Sequence, residues 1–150
     1  MSFVELQDII DFAIGKEQEA IEFYQGYAEK VKQKAIAEEL RKMALMEEGH
    51  RKRLEKMDVV EASEHVAKPI ETLKIADYVV EKEPSEAMNW QDVVQIAMKR
   101  ELASVNLYRD LAKLVNEPTS IQLFENLAAD EASHQLFWEK IWDDEILKDN

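Results

Sequence analysis

The sequence predicts an all-α protein, a four-helix bundle made of two copies of one helical hairpin. Several long stretches carry apolar residues at the 3.6-residue period of an α-helix. Only three Gly and three Pro occur among 150 residues, which leaves few turns and favours a small number of long helices. A shift of 84 residues also superposes the two halves of the chain without a gap and gives twelve identical pairs within the helical stretches, which indicates an internal duplication.

The first predicted hairpin covers residues 3–57. Its first helix is expected to begin at Phe3, because Ser2 and Glu5 have the spacing of a capping box. A polar, basic stretch at residues 32–34 is the expected turn. The second helix is then expected to run from about residue 35 to residue 57.

The second predicted hairpin covers residues 89–142. Asn89 is a residue type that caps helix N-termini, with Asp92 at the third helical position, and a third helix is expected from there to about Val115. A turn follows at residues 116–118, because Pro118 suits the first position of a helix. The fourth helix is expected to end near residue 142.

A crossover at residues 58–88 separates the two hairpins. It contains Pro69, Pro84 and one short apolar piece, residues 70–80, which is expected to form a small helix. An up-down-up-down bundle needs only a few residues at this point, whereas this connection is long enough to run back along helices of roughly 40 Å. We therefore expect the second and third helices to be parallel, within a single domain that covers residues 1–150.

Composition excludes several classes of partner and chemistry. The net charge of −13 argues against nucleic acid or an anionic membrane as partner, because phosphate groups are bound by basic faces. The absence of Cys excludes disulfides, thiolate metal ligands and cysteine nucleophiles. No signal-peptide pattern is visible, and no apolar stretch reaches the roughly 20 residues that span a bilayer. We expect a cytoplasmic protein.

Polar residues interrupt the apolar stripe of each hairpin at matched positions. Glu47 and His50 are three residues apart and therefore lie one turn apart on the same helical face. Glu17 precedes Glu47 by 30 residues, and the turn lies midway between them, so antiparallel packing places all three at the same height. The duplication repeats the set in the second hairpin. The candidate metal ligands are Glu17, Glu47, His50, Glu101, Glu131 and His134.

Four buried carboxylates and two imidazoles are costly in the core of a bundle unless cations neutralise them. Two divalent ions supply four positive charges, and carboxylate and imidazole ligands without thiolate suit iron or manganese. Each hairpin offers one separate Glu and one Glu-x-x-His, so we expect two ions with one His on each. Glu47 and Glu131 are placed to bridge them, with Glu17 and Glu101 as terminal ligands.

These motifs resemble those of the ferritin-like di-iron carboxylate superfamily, and within it the rubrerythrin-like group. The resemblance is carried by GKEQEAIEFY at residues 15–24 and EEGHRKRL at residues 47–54, with their copies in the second hairpin. It implies a ferritin-like fold, two Fe ions (Mn or a mixed Fe/Mn pair being alternatives) and an oxidoreductase that acts in oxidative stress. The implied reaction is reduction of peroxide or dioxygen, with oxidation of ferrous iron as a related activity.

The resemblance further implies that Tyr24 and Tyr108 form hydrogen bonds to ligand carboxylates and that the protein is a homodimer. Because the chain lacks the four Cys of a rubredoxin module, the implied electron donor is a separate rubredoxin-like protein. Ser104 occupies a position where rubrerythrins carry an additional acidic ligand.

Other interpretations of the same residues stay open. The chain could be a non-catalytic iron-binding or iron-carrier protein, or a bundle with a structural metal that serves as an interaction module. Tyr24 and Tyr108 could be core aromatics whose hydroxyls reach a carboxylate. His65 and the basic run at residues 51–53 are expected to be solvated. The three tryptophans are interpreted as residues of the core or of a dimer interface: Trp90, Trp138 and Trp142.

Overall fold

The computed structural model describes residues 3–80 and 89–146, which are mostly α-helical and contain no β-strand. These residues fall into two compact units, one formed by Val4–Glu64 and the other beginning at His65. Each unit contains one helical hairpin. The predicted all-α, ferritin-like class is confirmed, whereas a single domain over residues 1–150 stays a prediction.

The first hairpin consists of α1 (Leu6–Lys30) and α2 (Lys34–Glu55), and a short helix, α3 (Val59–Ser63), follows and packs against α1. The prediction that α1 begins at Phe3 was wrong by three residues, and Ser2 lies outside the described residues. The capping box is formed instead by Glu5, whose backbone N–H donates to the carboxylate of Asp8 at 2.9 Å. The carboxylate of Asp8, in the first turn of α1, therefore determines where the helix begins.

The second hairpin consists of α4 (Trp90–Leu114) and α5 (Pro118–Ile141), close to the predicted bounds. The side chain of Asn89 accepts a hydrogen bond from the backbone N–H of Asp92 at 2.9 Å, as expected of an N-cap. Pro118 occupies the first turn of α5, where its missing N–H has no consequence. A single π-helical turn, Trp142–Ile146, ends the described chain.

The crossover begins beside the turn of the second hairpin. The backbone N–H of Ala67 donates to the carbonyl of Leu114 at 2.6 Å, and the N–H of Asn116 donates to the carbonyl of His65 at 2.7 Å. These two bonds attach the start of the crossover to the C-terminal end of α4.

Two separate 3-10 turns, Ile70–Thr72 and Ile75–Tyr78, replace the single small helix that was expected over residues 70–80. The second turn is held by Tyr78, which is buried and donates its hydroxyl to Asp110 on α4 at 2.7 Å. Burial, followed by the nearby carboxylate of Asp110, raises the pKa of Tyr78 well above its usual range, so the hydroxyl stays a donor.

Residues 79 and 80 line a cavity together with the middle of α4. The rest of the crossover, residues 81–88 with Pro84, lies outside the described residues, and the described chain resumes at Asn89. From His65 to Val80 the crossover therefore runs antiparallel to α4, from the C-terminal end of that helix towards its middle. The parallel arrangement of α2 and α4 stays a prediction.

All three glycines of the chain lie inside helices of the first hairpin. Gly15 and Gly26 are in α1 and Gly49 is in α2, and none has a positive φ. Space is open where a Cβ would stand at each of them. A glycine inside a helix costs roughly 0.5–1 kcal/mol relative to alanine. The second hairpin has other residues at the corresponding positions: Lys99, Asp110 and Ser133.

Candidate metal centre

Six ionisable residues lie among the buried residues of the two hairpins, each of them no more than 4% exposed. Carboxylates and imidazoles are seldom buried to this extent unless a partner compensates for their lost hydration. They are the residues that the sequence singled out: Glu17, Glu47, His50, Glu101, Glu131 and His134.

The first half-site consists of Glu17 on α1 with Glu47 and His50 on α2. Nδ1 of His50 lies 3.5 Å from Oε1 of Glu47 and 3.6 Å from Oε1 of Glu17. Each of the three residues offers a ligand atom within 4.8 Å of the others. The structure thus brings together the three residues that their spacing places at one height in the hairpin.

The second half-site has the same construction, with Glu101 on α4 and Glu131 and His134 on α5. Nδ1 of His134 lies 3.6 Å from Oε1 of Glu101 and 3.9 Å from Oε1 of Glu131. The ligand atoms of these three residues also lie within 4.8 Å of one another. In both half-sites it is Nδ1, the ring nitrogen nearer the backbone, that faces the carboxylates.

The separations of 3.5–3.9 Å between these ring nitrogens and carboxylate oxygens are longer than a hydrogen bond, which seldom exceeds about 3.2 Å. Two ligand atoms that each lie about 2.1 Å from one cation are about 3.4 Å apart in a tetrahedral arrangement. The donor atoms are therefore spaced more like ligands of a shared cation than like a direct pair. Two carboxylates also carry the charge that balances one divalent ion, and the residues present fit a metal.

A family model described as "Rubrerythrin" matches residues 8–142, which include both half-sites. The chain belongs to the rubrerythrin family. Membership suggests a di-iron carboxylate protein, and the buried Glu and His groups could hold metal ions.

A comparison with solved structures supports the all-α, ferritin-like fold. The chain resembles a hypothetical protein from Pyrococcus furiosus with a TM-score of 0.69 and 25% sequence identity, over 93% of this chain and 89% of that one. A search of curated proteins finds no match. Among the described residues of this rubrerythrin-family chain, no helix has the length and apolar content needed to cross a bilayer.

Tyr24 and Tyr108 are both buried, with 1% of each side chain exposed. They follow Glu17 and Glu101 by seven residues, or two helical turns, so each lies on the face that carries a half-site. This placement is compatible with both interpretations, a core aromatic residue and a hydrogen-bond donor to a metal ligand. The hydrogen bond to a ligand carboxylate stays a prediction.

Arg51 is a residue whose role the sequence analysis missed. Its side chain is 26% exposed, against 59% for the neighbouring Lys52, so Arg51 is only partly solvated within the basic run. The guanidinium donates to Oε1 of Gln18 at 2.5 Å and lies 3.2 Å from Glu55. Gln18 and Arg51 directly follow Glu17 and His50, so this contact ties α1 to α2 beside the first half-site. The second hairpin has Leu102 and Gln135 at the corresponding positions.

Two surface predictions hold for the described chain. His65 is exposed, and its backbone carbonyl rather than its ring makes the contact with Asn116. Lys52 is also exposed and lies 3.5 Å from Glu48, a carboxylate next to the first half-site that points away from it. Glu48 is therefore a natural control for the buried Glu47.

Proposed function

We propose that this rubrerythrin-family protein is a di-metal oxidoreductase that reduces peroxide or dioxygen. The observation that carries the proposal is the pair of matched half-sites, each with two buried carboxylates and one imidazole whose ligand atoms converge. A structural ion would need only one such set. Two sets with equal spacing favour a centre in which two metals act together.

In the proposed centre the two half-sites share their ions. Glu47 and Glu131 would be shared by both metals, Glu17 and Glu101 would be terminal ligands, and His50 and His134 would each hold one metal. The four carboxylates then balance two divalent ions. Iron is the proposed metal, with manganese or a mixed pair as alternatives, because the donor set contains oxygen and imidazole nitrogen but no thiolate.

The metal pair, when bound, would supply two electrons, one from each ion. The protein's own residues hold the ions at fixed positions and limit the access of water, since every proposed ligand is buried. Each metal would be held by four side chains, two of them shared with the other metal, which would leave coordination positions for a small substrate. The hydroxyls of Tyr24 and Tyr108 are proposed to donate to ligand carboxylates and so to fix their orientation.

The wider setting of the reaction also belongs to this proposal. The metals are returned to their reduced state by a separate rubredoxin-like electron donor, the protein works as a homodimer, and it protects a cytoplasmic compartment from oxidative stress. The two half-sites could meet within one chain or between two chains that exchange hairpins.

Metal analysis is the first test. We expect about two metal ions per chain, and one or none in the double variant Glu47→Ala/Glu131→Ala. The control is Glu48→Ala, which removes a neighbouring carboxylate that is not buried and should leave the metal content unchanged. Full metal content in the double variant would contradict the assigned ligands.

Stopped-flow spectroscopy of the ferrous protein, mixed separately with peroxide and with dioxygen, tests the reaction. Rapid reoxidation by either oxidant supports the oxidoreductase. Two bound irons that both oxidants reoxidise equally slowly would contradict it and favour an iron-binding role instead.

A further inference from the structure

Two tryptophans lie in contact beside the second half-site. Trp138 is fully buried on α5, four residues after His134, so the two side chains are neighbours on one helical face. The ring centroids of Trp138 and Trp90 are 6.1 Å apart, with an edge-to-face angle of 63°. Trp90 opens α4 and is partly exposed. The two rings therefore connect the surroundings of His134 with a position that solvent reaches.

The duplication indicates that packing alone does not require tryptophan at these places. In the first hairpin the corresponding residues are Leu54 and Leu6, which are 1% and 2% exposed. Leucine therefore fills both positions in a closed hairpin core. The second hairpin has two easily oxidised indoles where the first has two inert aliphatic side chains. Only the second half-site therefore has tryptophans at these two positions.

We propose that Trp138 and Trp90 form a one-electron relay between the second half-site and the solvent. The relay rests on the proposed function. It operates when peroxide is reduced while the metals can supply only one electron. Trp138 then supplies the second electron together with its indole N–H proton, and a further proton from solvent completes the conversion of hydrogen peroxide to two water molecules.

The electron lost by the buried ring is replaced from outside. Trp90 passes one electron and one proton to the neutral radical on Trp138, which restores that indole and moves the radical to the partly exposed ring. A small one-electron reductant such as ascorbate then returns an electron and a proton to Trp90. Without the reductant, the radical on Trp90 reacts with dissolved dioxygen, which adds oxygen to the ring and oxidises it irreversibly.

The location of that oxidation tests the relay. Iron-loaded protein with limiting ferrous iron is treated with peroxide without reductant, and peptide mass spectrometry then locates oxidised tryptophan. We expect iron-dependent oxidation at Trp90, its suppression by ascorbate, and its loss in Trp138→Phe at unchanged iron content. Trp90→Leu, which introduces the residue of the first hairpin, should instead retain the oxidation on Trp138.

Trp142→Phe is the matched control, because it removes a third partly exposed tryptophan outside the proposed route and should leave oxidation of Trp90 unchanged. Equal oxidation of Trp90 in iron-free protein or in Trp138→Phe would overturn the relay, as would iron-dependent oxidation confined to Trp142. Peroxide consumption is followed in the same samples. Consumption without oxidised tryptophan overturns the relay alone, whereas wild-type protein that consumes no peroxide overturns the proposed function as well.

Discussion

Replacing Glu47 by Gln removes one buried negative charge from the first half-site while nearly preserving the shape of the side chain. Without metal, the carboxylates of Glu47 and Glu17 are buried close together, with ligand oxygens that lie within 4.8 Å of each other. In the proposed metal-loaded centre, the same two carboxylates are the charges that hold the ion. The substitution should therefore stabilise the metal-free protein and destabilise the metal-loaded protein.

The size of the effect follows from that separation. Two unit charges no more than 4.8 Å apart repel each other by at least about 3.5 kcal/mol at an effective dielectric constant of about 20. Relaxation of the surrounding side chains relieves part of this repulsion, so we expect metal-free Glu47→Gln to be more stable than wild type by about 1–3 kcal/mol. A metal at 100 times its dissociation constant contributes about 2.7 kcal/mol to stability, and the variant should lose much of that contribution.

Urea unfolding at neutral pH, with either excess chelator or Mn²⁺, measures both effects without interference from oxygen. Glu48→Gln is the control, because this carboxylate is not buried and pairs with Lys52; its substitution should change stability by less than about 0.5 kcal/mol in both conditions. If Glu47→Gln lowers stability equally with and without metal, the carboxylate has an ordinary structural role and the reasoning about the half-site is refuted.

Three further predictions concern the scaffold. Tyr78→Phe leaves Asp110 without its hydroxyl donor and should lower the free energy of unfolding in urea by about 1–2 kcal/mol; an unchanged value would mean that the crossover is not held by this bond. Hydrogen bonds from Ser120 and two backbone amides lower the pKa of Glu117 from its ordinary 4.5 to about 2. Because the pKa is lower in the folded protein, these hydrogen bonds stabilise it fully above about pH 4.5, and the stabilisation is lost as the pH falls towards 2. The melting temperature of Glu117→Gln should therefore depend less on pH in that window than the melting temperature of wild type. An identical pH profile for the two proteins would contradict the assignment. Asn89→Ala should cost about 1 kcal/mol in thermal unfolding by removing the N-cap of α4, and an unchanged Tm would show that the cap contributes nothing.

The four long helices could be predicted because their signals are local. Apolar periodicity, the cap at Asn89 and the turn before Pro118 each act within a few residues, and the structure places the helix ends close to the expected positions. The start of α1 was mispredicted because residues 2/5 and 5/8 both have the spacing of a capping box, and the structure shows the second, in which the carboxylate of Asp8 accepts from the N–H of Glu5. Sequence spacing alone does not rank such alternatives.

The two half-sites could be predicted because the duplication supplied an internal check. One Glu-x-x-His pair has little weight in an acidic chain. Two such pairs, each preceded by another Glu at the same distance of 30 residues, indicate how the two helices of each hairpin align and that the three residues lie at the same height. Long-range contacts were beyond this reasoning. The bond from Tyr78 to Asp110 spans 32 residues, and the contact of Arg51 with Gln18 spans 33. Each depends on how a long side chain packs across elements rather than on any local pattern.

The placement of every glycine in the first hairpin has a consequence for how the protein opens. At the matched positions of the second hairpin, Lys99, Asp110 and Ser133 have better intrinsic helix propensity, and the three differences sum to about 1–2 kcal/mol. Backbone amides of α1 and α2 should therefore exchange with deuterium before those of α4 and α5. The two half-sites, although matched in residues, would then stand on helices of unequal resistance to local unfolding, and in the proposed metal-loaded protein the first half-site, on the side of Gly49, would lose its metal first.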